Sequence, residues 1–156
     1  MSLLRKQPAE LSGEDGAQAG DPYVLDEQVG FILRQASQRH AILFAARMGA
    51  DITPTQWAAL SKLHEVGPTS QNRLGRMTAM DVATIKGVVD RLMKRGFVRS
   101  TADAGDARRR FLALSDEGRA FVAANLSVAR EITRETLAPL TQREQATFVA
   151  LLEKLR

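Results

Sequence analysis

Residues able to do covalent chemistry are few in this chain and poorly placed for it. There is no cysteine, so a thiolate nucleophile, a thiolate zinc site, a disulfide scaffold and a thiol redox switch are all excluded. The two histidines, His40 and His64, stand 24 positions apart on different predicted helices, without an HExxH pair or other metal-ligand spacing. No glycine-rich phosphate loop and no Ser/His/Asp set stands out, so no enzyme, cofactor or metal centre is expected. What the sequence offers instead is clustered positive charge. Between Thr53 and Ser115 lie eleven cations (Lys62, Arg73, Arg76, Lys86, Arg91, Lys94, Arg95, Arg99, Arg108, Arg109, Arg110) against five anions, although the whole chain carries only +4. The remainder is therefore net negative. Basicity concentrated in one stretch is the pattern that neutralises phosphates on a polyanion.

The elements that must position these cations can be read from periodicity. The 156 residues are 44% apolar and 26% charged, a soluble globular composition with room for one domain and appendages. No run nears the roughly eighteen apolar residues of a membrane span, and Ser2-Leu3-Leu4 is too short for a signal-peptide core, so a cytoplasmic protein with no membrane partner is expected. Residues 1–22 show no period and read as a disordered tail. Asp26 is placed to cap a long helix carrying Val29, Ile32, Leu33, Ala36, His40, Leu43, Phe44 and Met48, ended by Gly49. Thr53-Pro54 opens the next helix, with Trp57, Leu60, Leu63 and Val66 on one face. A short helix from Ser70 to Met77, a turn at Thr78-Ala79-Met80, and a helix capped by Asp81 with an Ile85, Val88, Val89, Leu92 stripe follow. After Gly96 the period becomes that of strands, at 97–101 and 110–114, joined by a polar turn. Helices return at 116–137 and, behind the capping box Thr141–Glu144, to the end of the chain.

This order, mainly α with a small β-hairpin, is that of a winged helix-turn-helix domain (51–115) between an N-terminal dimerisation helix (23–50) and C-terminal dimerisation helices (116–156). The helix at 82–95 is about 20 Å long at 1.5 Å per residue, and a B-DNA major groove about 12 Å wide admits it. With its apolar stripe inward it shows Ala83, Thr84, Lys86, Gly87, Asp90, Arg91 and Lys94. The small Ala83 and Gly87 allow close backbone approach to base edges, Thr84 can meet a base or a thymine methyl, and Lys86 can reach guanine or phosphate. Arg73 and Arg76 on the preceding helix are placed for the phosphate backbone, and Ser70 and Gln71 at its start are counted with them as DNA-binding residues. Past the hairpin turn come Arg108, Arg109 and Arg110; Arg108 is expected to enter a minor groove, oriented by Asp103 or Asp106. The competing reading of any one of these cations is a solvated surface charge. The flanking helices carry apolar stripes that a domain of about 60 residues cannot cover, which points to pairing of two chains and two reading helices about 34 Å apart.

In Ile52-Thr53-Pro54-Thr55-Gln56-Trp57, in the run from Asp81 through Asp90-Arg91-Leu92-Met93-Lys94-Arg95-Gly96-Phe97-Val98, in Asp103…Asp106-Ala107-Arg108 and in Leu114-Ser115-Asp116-Glu117-Gly118-Arg119, the sequence resembles the MarR family of transcriptional regulators over residues 24–156. The resemblance implies an obligate homodimer on a palindromic, double-stranded operator, usually a repressor released by a small ligand. The alternative is an architectural, non-specific DNA-binding protein without an effector. Ala79 stands where the family's inter-helix turn usually has glycine, and Ala107 replaces a common arginine. A ligand site is expected where the first helix meets the winged domain, from Arg34, Gln38, Arg39, His40, Phe44, Arg47 and Trp57, since arginine beside an aromatic wall suits an aromatic carboxylate. The stretch from Leu25 to His40 is similar to regulators of aromatic-acid breakdown, which implies an aromatic acid or its CoA thioester as effector.

Overall fold

Nearly every helix of this chain begins on a side-chain oxygen that satisfies an otherwise unbonded backbone N–H. The computed structural model describes residues 22–49, 51–102, 105–106 and 110–156; the tail expected at 1–22 lies, but for its last residue, outside them. The elements run α1 (Val29–Met48), α2 (Pro54–Val66), α3 (Gln71–Met77), α4 (Val82–Lys94), β1 (Val98–Ala102), β2 (Arg110–Leu114), α5 (Asp116–Leu137) and α6 (Gln142–Glu153). Thr53 and Gln56 form a reciprocal capping box on α2, and Thr141 and Glu144 another on α6. Ser70, Asp81 and Ser115 cap α3, α4 and α5. None of the helices among the described residues is long and apolar enough to cross a membrane.

Several boundaries differ from the sequence reading: α4 ends at Lys94 and α6 at Glu153 rather than at 95 and at the end of the chain, and two further differences have a visible cause. Asp26 lies within a 3₁₀ turn, Leu25–Glu27, and α1 starts only after Gln28, which has extended backbone and whose carbonyl accepts from Phe31 and Ile32 N–H, both at 3.0 Å. β1 begins one residue later than expected because Phe97 closes α4. Its N–H donates to the Leu92 carbonyl at 3.0 Å while Gly96, at φ 76°, donates to Met93 at 2.9 Å, the paired bonds of a Schellman end.

The inter-helix turn uses the same device with an unusual residue. Met80 N–H bonds the Gly75 carbonyl at 2.9 Å and Ala79 N–H bonds Arg76 at 3.4 Å, with Ala79 in the left-handed region at φ 53°. Alanine thus adopts the conformation that glycine takes more readily, at some backbone strain. Gly75 is needed for the close approach: a Cβ there would lie 3.1 Å from the Met80 carbonyl and 3.2 Å from Ile85.

One apolar core joins the winged unit to the flanking helices. Leu60, Leu63, Leu74, Ile85, Val88, Val89, Leu92, Val98, Leu112 and Leu114 pack with Phe44 of α1 and Val122 and Ile132 of α5. The hairpin pairs Val98 with Leu114 through Ala102 with Arg110, and Thr69, ahead of α3, bridges to Leu112. By contrast α6 buries nothing; Phe148 and Leu151 are exposed along it, and Leu155 just beyond its end. On the N-terminal side Tyr23, Val29 and Ile32 are exposed too, Val29 by 67%. A single copy leaves these apolar faces in water.

Candidate nucleic-acid interface and effector cavity

The fold presents α4 as the sequence predicts. Ile85, Val88, Val89 and Leu92 are buried, while Ala83, Thr84, Lys86, Asp90, Arg91 and Lys94 are exposed and Gly87 is half-buried. Asp81 anchors the start of this face. Its carboxylate accepts from the Thr84 N–H at 2.7 Å and from the Thr84 hydroxyl at 3.0 Å, and these bonds hold it below the usual carboxylate range. Lys86 pairs with Asp90 at 3.0 Å. Gly87 has no internal reason to be glycine: a Cβ would meet only the end of the Arg91 guanidinium, at 3.4 Å.

On α3, Arg73 and Arg76 are exposed and Gln71 is half-buried, with the Ser70 hydroxyl accepting from the Arg73 N–H at 3.4 Å. In the hairpin, Arg110 Nε donates to the Ser100 hydroxyl at 2.8 Å, which ties that side chain across the two strands. Asp106 is exposed. Asp103, Arg108 and Arg109, and with them the minor-groove contact expected of Arg108, lie outside the described residues. Arg95, which sequence reasoning counted only as charge, is the C-cap of α4; its guanidinium lies 4.9 Å over the Phe97 ring and donates to the Asp51 carbonyl.

Behind the interface a cavity of about 170 Å³ opens between α1, α2 and α5, lined by His40, Phe44, Trp57, Ala129, Ile132 and Thr133. Three of the residues expected at a ligand site are therefore in its wall. Arg39 and Arg47 instead hold α1 against α5. Arg39 donates to the Thr136 carbonyl at 2.9 Å, and Arg47 forms an ion pair with Glu135 that holds the glutamate below and the arginine above their ordinary ranges. Arg34 and Gln38 are exposed and do not line the cavity. Ala129, Ile132 and Thr133 were not anticipated; they carry no chemical signature, and only the helical spacing along α5 puts them on one face.

The polar end of the cavity has a defined hydrogen-bond polarity. His40 Nδ1 is 2.9 Å from the Thr136 hydroxyl, and that hydroxyl already donates to the Ile132 carbonyl at 2.8 Å. A hydroxyl has one proton to give, so Thr136 accepts and His40 Nδ1 carries the hydrogen. In the neutral ring Nε2 is then the acceptor nitrogen. Phe44, Trp57, Ala129 and Ile132 give the cavity an apolar wall, and His40 and Thr133 are its polar lining.

Comparison with known proteins identifies the arrangement. Residues 52–109 match the MarR family model. The chain is 37% identical to the HTH-type transcriptional repressor NicR of Pseudomonas putida, over 86% of this chain and 85% of that protein. The crystal structure of a probable transcriptional regulator from Pseudomonas aeruginosa superposes with a TM-score of 0.82 at 58% identity, covering 85% of this chain and 100% of that one. BpsR of Bordetella bronchiseptica, whose DNA binding is regulated by 6-hydroxynicotinic acid, superposes at 0.82 with 34% identity, covering 86% and 97%. With its sequence and fold both shared with these regulators, the chain belongs to the MarR family of transcriptional regulators, proteins that act on DNA rather than as enzymes.

Proposed function

We propose that two copies of this chain form a repressor on a palindromic operator in the cytoplasm and leave it when a single-ring aromatic acid enters the cavity between α1, α2 and α5. The cavity carries the reading. An apolar cavity of about 150 Å³ holds a benzene molecule, so about 170 Å³ accommodates one ring with a carboxylate. That volume covers a free acid, whereas of a CoA thioester it covers only the acyl head. The names of the relatives point the same way, one a repressor and one regulated by a hydroxylated pyridine carboxylate.

The remaining parts follow from the surface. Pairing through the N-terminal segment, α1, α5 and α6 removes Val29, Ile32, Phe148, Leu151 and Leu155 from water, at about 25 cal/mol per Å² of apolar area. A two-fold pair presents two α4 helices to successive major grooves, with Ala83, Thr84, Lys86, Gly87, Arg91 and Lys94 toward the bases and backbone, Ser70, Gln71, Arg73 and Arg76 on phosphates, and Arg108 in the flanking minor groove beside Arg109 and Arg110, oriented by Asp103 or Asp106. Ligand in the cavity separates α1 from α5, against the Arg39 and Arg47 contacts, and changes the spacing of the two reading heads.

The test is a mobility-shift series on the DNA flanking the chain's own gene, across salt, followed by 6-hydroxynicotinate, benzoate, hydroxycinnamate and their CoA thioesters. A sequence-specific shift abolished by a free acid is expected. Equal retardation of every duplex would establish an architectural protein, and a specific shift released only by thioesters would overturn the free-acid assignment.

A further inference from the structure

We propose that Phe121 is the positioning residue through which the cavity and the DNA-reading helix sense one another. Trp57, in the cavity wall, meets Phe121 edge-on, with ring centroids 6.5 Å apart and planes at 70°. Phe121 stacks on Phe97 at 4.8 Å and 23°. Arg95, the last residue of the α4 end, lies over Phe97 at 4.9 Å. Four side chains thus run in contact from the cavity to the C-terminal end of the reading helix.

The backbone makes this column stiff at its far end. Phe97 N–H donates to Leu92 in the last turn of α4, and its carbonyl accepts from the Ser115 N–H at 3.0 Å, the residue that caps α5. Gly118 of α5 lies so close that a Cβ would come within 2.1 Å of the same carbonyl. Phe97 therefore cannot slide independently of α4 or of the start of α5. Phe121, one turn along α5, has its ring between two others that belong to different elements. Close-packed side chains pass displacement on rather than absorb it, so a ligand that shifts α5 against Trp57 must reorient the Phe121 ring and, through Phe97 and Arg95, the end of α4.

This inference rests on the proposed ligand cavity and reading helix, but linkage gives it a test that needs no ligand. If ligand moves α4, then DNA on α4 must move the cavity by the same coupling. Trp57 is the chain's one tryptophan and reports that movement by its own fluorescence. The full-length chain is titrated with a 30-base-pair duplex chosen by footprinting on its own upstream region, and tryptophan emission is recorded beside duplex affinity. Wild type and Phe121→Tyr, which keeps the ring, are expected to show an emission change at saturation. Phe121→Leu is expected to bind the duplex within about threefold of wild type while losing at least half of that change. Phe97→Leu, which breaks the same column from the other side, is expected to do likewise and serves if Phe121→Leu does not fold. A full emission change in a folded leucine variant, or none in wild type, overturns the proposal. Failure of 6-hydroxynicotinate and its analogues to release wild type from the duplex would instead strike the effector reading and leave the fluorescence result standing.

Discussion

Gly87→Ala separates the fold from the DNA interface, because the two respond with opposite signs. Within the chain the added methyl meets only a flexible guanidinium end at 3.4 Å, so no packing penalty arises. Replacing an interior helical glycine with alanine stabilises by about 1 kcal/mol, which for a chain of this length raises Tm by about 2–4 °C. On the outer side the same methyl intrudes where the α4 backbone is to approach base edges. A lost or displaced base contact costs about 1–3 kcal/mol. Taking the low end at each half-site of a two-fold pair gives about 2 kcal/mol, or roughly a 30-fold rise in Kd. Circular-dichroism melting and fluorescence anisotropy on one operator duplex read both effects in one preparation. A variant that melts higher and binds within twofold of wild type would refute the groove geometry, since α4 would then not meet DNA at this turn.

Other perturbations test separate joints of the structure. Gly118→Ala forces a Cβ to within 2.1 Å of the Phe97 carbonyl; overpacking of about 2 kcal/mol and a lost hydrogen bond of about 1 kcal/mol should lower Tm by about 6–12 °C, and a shift below 2 °C would show that α5 can move off Phe97 freely. Arg76→Ala should leave sequence preference intact while reducing the slope of log K against log salt by about one per chain; an unchanged slope in anisotropy titrations would remove this side chain from the phosphate contacts. The depressed carboxyls of Asp81 and Glu144 stabilise the chain above the unfolded carboxylate range, and that contribution is lost as pH falls through their lowered native values. Urea midpoints should therefore drop from about pH 6 to about pH 3 less steeply in Asp81→Asn, which keeps a neutral cap; identical profiles would argue that Asp81 does not titrate with folding.

The helix starts were legible because each depends on one residue type at one offset: Thr53 with Pro54, Ser70, Asp81, Ser115, and Thr141 with Glu144. The stripe of α4 and the exposed set opposite it were legible for the same reason, a period of 3.6 against a strong polar contrast. Asp26 misled because a cap must be the extended residue directly ahead of the helix, which is Gln28, whereas Asp26 lies inside the preceding 3₁₀ turn. The cavity was half legible. His40, Phe44 and Trp57 announce themselves by type, whereas Ala129, Ile132 and Thr133 come from a helix some 90 residues on, and their role exists only once α5 lies against α1. Arg39 and Arg47 show the converse: their residue type fits a carboxylate ligand, but Thr136 and Glu135 on α5 are their partners in the fold.

The most direct test of the account is the stoichiometry and discrimination of DNA binding, measured by anisotropy with analytical ultracentrifugation on the operator duplex and a scrambled duplex of equal length. Two chains per duplex are expected, with at least about 10³-fold preference for the operator at physiological salt and a steep fall in affinity as salt rises. One chain per duplex, or equal affinity for the scrambled sequence, would contradict the account.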